Sequence, residues 1–284
     1  MKEYYSPLKG LRDEVLVEWL KVLVECARSV REAVLKLYGT AEGGERLGLG
    51  AGGDLTLRID KLAEDTVVEK MLEYDLSFTL LSEEAGFRRF GVKPEEAYII
   101  LDPLDGSLNA SRGLPFAATA LAYSKNLSLE SVEAAAVMDI VHGTLYTASK
   151  GQGAFKDGEP VKPSNRTSLE EVLLGVDLCK CKDLASFSKL MPIFKEVRHV
   201  RHLGANALEL CYVSDGTIDA YIDLAGRLRV LDLTAPYLIV TEAGGIVTDG
   251  EGRNLKSPIT ASEKVSIIAS GNKALHRTIF ERIR

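Results

Sequence analysis

The apolar positions at the start of the chain fall on a helical period. Leu16, Leu20, Leu23, Ala27, Val30, Val34 and Leu37 recur at spacings of four and three, which draws one stripe along a helix. Gly39 follows where a C-terminal cap belongs. The glycine-rich residues 43–53 come next and are expected to form a mobile loop. Ile59, Ala63, Val67 and Met71 repeat every four residues, so a second helix is expected over about residues 60–74. The pattern then shortens to apolar runs of strand length, bounded by turn residues or charges, at residues 78–81, 98–101 and 116–123. Residues 133–141, 143–148 and 153–156 read as further strands joined by glycine-containing turns. Strands in such a series predict a largely antiparallel sheet with helices packed on it.

Beyond Pro160 strands and helices alternate. Strands are expected at residues 172–176, 199–203, 218–222 and 265–269, and helices at 184–197, 205–213 and 233–243. Gly244-Gly245 closes the last of these, and a C-terminal helix follows the final strand. A soft boundary near residues 157–168 divides the chain into an N-terminal α+β half, residues 1–160, and a C-terminal α/β half, residues 161–284. The two are expected to share one core rather than to stand as independent domains.

The apolar fraction of 46% and charged fraction of 27% are those of an ordinary soluble globular protein. A net charge of -6 argues against a nucleic-acid partner, which would call for a basic field. It leaves room for a phosphorylated substrate, because bound cations reverse the local field. The chain holds no run of about 18 uncharged apolar residues, so no membrane span is expected. Residues 1–5 lack the basic-then-apolar pattern of a signal peptide. The cysteines Cys26, Cys179, Cys181 and Cys211 form no CxxC pair, so a reduced cytoplasmic setting is expected, with a disulfide among them left open.

The candidate chemistry is acidic. Leu101-Asp102-Pro103-Leu104-Asp105-Gly106-Ser107 places two carboxylates three positions apart at the end of an apolar strand. Pro103 stops the ladder, and the turn it forces can aim both carboxylates, with the Leu104 carbonyl, at one hard cation. Gly106 would let the backbone approach a phosphate closely. The plainer reading of the same residues is an Asp-Pro turn with a capping carboxylate. Glu83 and Glu84 follow another strand, and Asp60 and Asp232 each begin a helix, where either a cap or a metal ligand would fit. Four such acidic sites in one chain exceed what capping requires. Gly48 to Gly53 fits GxGxxG formally, but it follows a helix rather than a strand, so dinucleotide binding is rejected. His142, His199, His202 and His276 show no metal-binding spacing.

Glu83-Glu84, the run from Asp102 to Ser107, and Asp232 ahead of Thr241-Glu242-Ala243-Gly244-Gly245 together resemble the inositol monophosphatase family of metal-dependent phosphatases. The likeness extends over about residues 54–270. Gly106-Ser107-Leu108-Asn109, Gly113-Leu114-Pro115-Phe116 and Leu210-Cys211-Tyr212-Val213 are most similar to its archaeal members, which act on both inositol monophosphate and fructose 1,6-bisphosphate.

The resemblance implies an α+β fold, a layered αβαβα sandwich with the site between the two halves. It implies two or three Mg2+ ions, or Mn2+ in their place, on Glu83, Asp102, the Leu104 carbonyl, Asp105 and Asp232. Asp60 and Ser107 would help a metal-bound water lose its proton for in-line attack, without a phosphoenzyme. Glu84 would be a neighbour of the ligands, and the glycine-rich loop would close over the site. The N–H groups of Gly106 and Ser107, and of Gly204 and Ala205, would bind phosphate, and Asp223 would accept a substrate hydroxyl. Arg227 and Arg229, between Asp223 and Asp232, are candidates to grip a second phosphate. By the same analogy the chain forms a homodimer. The competing readings are a phosphatase for another small phosphate, such as 3′-phosphoadenosine phosphate or NADP, and a non-catalytic family member. Retention of the whole carboxylate set argues against the second.

Overall fold

The computed structural model describes residues 11–178 and 184–284; Cys179, Cys181 and residues 1–5 lie outside them, as does the side chain of Leu16. Helix α1 (Leu11–Val34) carries the apolar stripe, with Leu23, Ala27, Val30 and Val34 fully buried. The helix ends at Val34, and the chain runs through turns to Gly39, whose φ of 70° is open to glycine. Residues 43–53, expected to be a mobile loop, hold part of an antiparallel hairpin, β1 (Arg46–Leu49) and β2 (Leu55–Leu57). Glycine marks its tip, where Gly50 donates to the Asp54 carbonyl and Gly53 to that of Gly50. In α2 (Arg58–Glu73) the repeat Ile59, Ala63, Val67 and Met71 is buried.

Next come β3 (Phe78–Ser82), β4 (Gly86–Phe90), β5 (Tyr98–Asp105), the short helix α3 (Ser107–Ser111) and β6 (Ala118–Ser124). Strands β7 (Val132–Asp139), β8 (Leu145–Ser149), β9 (Gly153–Lys156) and β10 (Glu159–Pro160) complete an eight-stranded sheet, ordered β10-β9-β8-β7-β6-β5-β3-β4. Its ladders are antiparallel except where β3 lies parallel to β5.

The second half begins with β11 (Leu173–Val176), α4 (Leu184–Phe194), β12 (His199–Arg201) and α5 (Asn206–Ser214). It continues through β13 (Ala220–Arg229), α6 (Val230–Ala243), β14 (Ile246–Asp249), β15 (Lys264–Ser270) and α7 (Lys273–Ile283). Its five strands form a sheet ordered β12-β11-β13-β15-β14.

The two-residue period of the strands sorts their side chains into three apolar layers. On β5, Ile99 and Leu101 pack with α1 and α2, while Ile100 faces the opposite way. That opposite face meets Leu208 and Leu210 of α5 and Leu233 and Ile239 of α6. Tyr221 of β13 and Ile267 of β15 close the same central cluster from the second sheet. Ala220, Ile222 and Ile268, one residue out of phase, face Leu190 and Ile193 of α4 and Leu275 and Ile279 of α7. The order is therefore helices, sheet, helices, sheet, helices, the αβαβα sandwich. Its central layer is built from both halves of the chain.

Candidate active site

Strands β3 and β5 run in the same direction, so their C-terminal ends lie side by side, and Glu83 follows one while Asp102 and Asp105 end the other. A regular strand would point residues three apart to opposite faces. Here β5 bulges. Asp102 pairs with Ala120 and Asp105 with Ala118, so three steps along β5 match two along β6. Pro103 and Leu104 lie in the irregularity, which brings both carboxylates to one side. Asp232 arrives from the first turn of α6. Glu83, Asp102 and Asp232 then offer carboxylate oxygens that all lie within 4.8 Å of one another.

Burial and mutual repulsion govern these acids. Burial, with Asp232 beside it, pushes Glu83 up to about 8 and holds Asp102 well above the carboxylate range. Burial lifts Asp105 to about 7 despite a 2.6 Å hydrogen bond that its Oδ2 accepts from the Ala207 N–H. Asp105 thus ties β5 to the start of α5, where the helix dipole favours a negative charge. Asp60 is likewise raised to about 7 by burial, which the nearby Ser107 hydroxyl offsets in part; its Oδ2 accepts from the Leu57 N–H at 2.7 Å. Ser107 Oγ donates to the Leu104 carbonyl at 2.7 Å. Oδ1 of Asp60 and Oδ1 of Asp102 are buried without a hydrogen-bond partner. Crowded acids with orphaned oxygens, next to a backbone carbonyl, fit a hard divalent cation.

Two backbone turns meet beside these groups. Gly106 has a φ of 85°, and a Cβ there would stand 3.0 Å from the Phe116 carbonyl and 3.1 Å from the Ala205 Cβ. Only glycine suits that position, so the turn after Asp105 packs directly on the Gly204–Ala205 turn. Asn109 fastens the two by donating through Nδ2 to the Phe116 and Leu203 carbonyls, at 2.9 and 2.8 Å. The Gly204 N–H, expected to bind phosphate, is given to Glu209 Oε2 at 3.2 Å. Gly204 therefore serves through its left-handed backbone, with a φ of 81°.

The arginines separate. Arg227 is exposed, whereas Arg229 is buried among acids: Nη2 meets Glu83 Oε1 at 2.5 Å, Nε meets Asp232 Oδ2 at 2.8 Å and Nη1 meets Asp54 Oδ2 at 3.3 Å. The expected pair gripping a second phosphate is not formed by Arg229 in this arrangement, because the acids attract its guanidinium inward. Asp223 is buried on β13 and accepts the Ala225 N–H at 2.8 Å. Glu84 accepts from the Thr56 hydroxyl and is not among the three clustered carboxylates.

Sequence reasoning missed several supports. Buried Glu64 accepts from the Ser82 hydroxyl and the Ala85 N–H, pinning the turn that carries Glu83. Glu209 anchors the Leu203–Gly204 backbone, and burial raises it to about 8. Each was visible as a carboxylate on an otherwise apolar helix face.

The model of the inositol monophosphatase family matches residues 15–284. The chain belongs to the inositol monophosphatase family. The family comprises metal-dependent phosphatases, and its members are phosphoric monoester hydrolases. The chain is 36% identical over 273 residues to the fructose-1,6-bisphosphatase/inositol-1-monophosphatase of Methanothermobacter thermautotrophicus, covering 93% of this chain and 96% of that protein. It is 33% identical over 281 residues to the bifunctional NADP phosphatase/NAD kinase of Methanococcus maripaludis, covering 93% of this chain and 49% of that longer protein. A solved inositol monophosphatase-fructose 1,6-bisphosphatase superposes with a TM-score of 0.80 at 28% identity, over 93% of this chain and 99% of the other. Among the described residues no helix is long and apolar enough to cross a membrane.

Proposed function

We propose that this inositol monophosphatase family member hydrolyses small sugar or polyol phosphates, with inositol monophosphate and fructose 1,6-bisphosphate as substrates. The observation that carries the reading is the meeting of Glu83, Asp102 and Asp232 within 4.8 Å, beside the Gly106 and Gly204 turns. Bound Mg2+, or Mn2+ in its place, in two or three sites on Glu83, Asp102, Asp105, Asp232 and the Leu104 carbonyl, would supply an acidified water and polarise the phosphoryl group. Ser107 and Asp60 form the proton path. The Ser107 hydroxyl passes a proton toward Asp60, whose burial keeps its pKa near neutrality, where a general base works best. The Gly106, Ser107 and Ala205 N–H groups hold phosphate, and Asp223 accepts a substrate hydroxyl. Residues 1–160 supply most ligands, and residues 161–284 complete the site with Asp232 and the Gly204 turn. The active form is a homodimer in the cytoplasm, which sedimentation equilibrium and fractionation test.

The identity to the Methanococcus maripaludis protein favours a second reading, in which NADP is the phosphate donor. Measuring kcat/KM for inositol 1-phosphate, fructose 1,6-bisphosphate and NADP with Mg2+ separates the two. The first reading predicts that either of the first two exceeds NADP; a reversed order favours the second.

A further inference from the structure

Arg229 lies against two of the carboxylates proposed to hold metal. Its guanidinium engages Glu83 Oε1 and Asp232 Oδ2, so two of the three clustered carboxylates already hold a cation. Its side chain is only 9% exposed. A guanidinium keeps its charge even when buried, and here it is paired with Glu83, Asp232 and Asp54. A divalent ion bonded to the same oxygens would face a guanidinium within a few ångströms, in surroundings that screen charge poorly. The two cations therefore compete for these oxygens.

The hairpin tip is part of the same assembly. Asp54, just past the tip and 48% exposed, reaches Arg229 Nη1 at 3.3 Å. Ala51 and Gly52 donate their N–H groups to the Glu84 and Glu83 carbonyls, both at 2.9 Å. A Cβ on Gly52 would lie 2.5 Å from Arg229 Nη1, so the tip lies directly against the guanidinium. Whatever moves Arg229 also removes one anchor of the tip.

We propose that Arg229 is a tethered counter-ion: without metal its guanidinium occupies the Glu83 and Asp232 carboxyl oxygens and clamps the β1–β2 tip through Asp54, and metal entry displaces it. The inference rests on the metal-dependent reading above. Apparent metal affinity is then the intrinsic affinity multiplied by the fraction of chains with Arg229 displaced. Linkage is reciprocal, so metal binding loosens the Asp54 anchor, and loosening that anchor favours metal.

Calorimetric titration of Mn2+ into metal-free wild type, R229M and D54N tests this, with the melting temperature of each measured metal-free and loaded. R229M should bind Mn2+ about tenfold tighter, because no guanidinium has to leave. Its metal-free melting temperature should fall, since buried acids lose their counter-ion, and its rise on metal binding should exceed the wild type's. D54N keeps every proposed ligand and Arg229, and should bind about two- to threefold tighter, with faster hydrogen exchange at residues 50–54. Unchanged or weaker binding by R229M overturns the proposal. Should R229M not fold without metal, D54N decides alone, and unchanged or weaker binding there overturns it equally. A wild type that binds Mn2+ and releases phosphate, with variants that bind no tighter, defeats the counter-ion role alone. A wild type that binds no divalent ion defeats the metal-dependent reading itself.

Discussion

At the scale of single residues, Ser107 is the link in the proposed proton path. Its hydroxyl donates to the Leu104 carbonyl at 2.7 Å and lies near Asp60, whose carboxyl burial lifts to about 7. Removing the hydroxyl breaks the proposed proton path but leaves the clustered carboxylates in place. S107A should therefore lower kcat by about 10²–10⁴-fold, the usual worth of a positioned acid or base. S107T restores the hydroxyl and should recover most of the rate. Mn2+ affinity, read by calorimetry, should change little in either variant; a parallel loss of metal binding in S107A would assign Ser107 to the metal site instead. Asp102 and Asp105 were legible as a candidate site only together with Glu83, Asp60 and Asp232, because an Asp-Pro turn at a strand end has a plainer capping use. The partnership of Arg229 with Asp54 was not, because 175 positions separate them along the chain.

Among the secondary-structure elements, α5 shows how a buried acid sets a turn. Glu209 Oε2 accepts the Gly204 N–H at 3.2 Å, fixing the approach to the helix whose first turn caps Asp105. Burial raises Glu209 from an ordinary 4.5 to about 8. Between those values the folded chain holds a proton that the unfolded chain has released. The stability tied to that proton is whole below the unfolded value and is lost as the pH climbs through the folded one. Urea unfolding from about pH 5 to about pH 8 should show wild type losing more stability across the window than E209Q, which cannot ionise. Parallel profiles would mean that Glu209 is already charged in the folded chain. The long helices were legible because a 3.6-residue stripe repeated over several turns has few rivals. Strand β4 was not, because Arg88 and Arg89 lie exposed on a sheet edge and read as a loop. Strand β14 has only two buried positions after the Gly244 cap, too few for a pattern. The hairpin β1–β2 was hidden by glycines that belong to its tip.

For the molecule as a whole, the central apolar layer belongs to both halves, and the site is stitched across the same boundary. Asn109 on α3 donates to Phe116 within its own half and to Leu203 in the other. N109A leaves two carbonyls without that donor, which should cost about 1–3 kcal/mol of stability by urea unfolding. Misplacing the Gly204 turn should also raise KM for substrate more than it lowers kcat. Loss of stability with KM unchanged would make Asn109 a packing residue only. The antiparallel first sheet could be expected from its serial strands, but the bulge in β5 could not, because a register shift is a property of two strands together. The layered order follows once each strand's two faces are assigned to different helices.

The most direct test of the central claim is phosphate release from inositol 1-phosphate and fructose 1,6-bisphosphate by wild type and D102N, each with Mg2+ and with a chelator. The account predicts release from one or both substrates by wild type with Mg2+, none with chelator, and a loss of at least about 10²-fold in D102N, since Asp102 is one of the three clustered carboxylates proposed to hold metal. Release that survives the chelator, or a D102N variant as active as wild type, would contradict it.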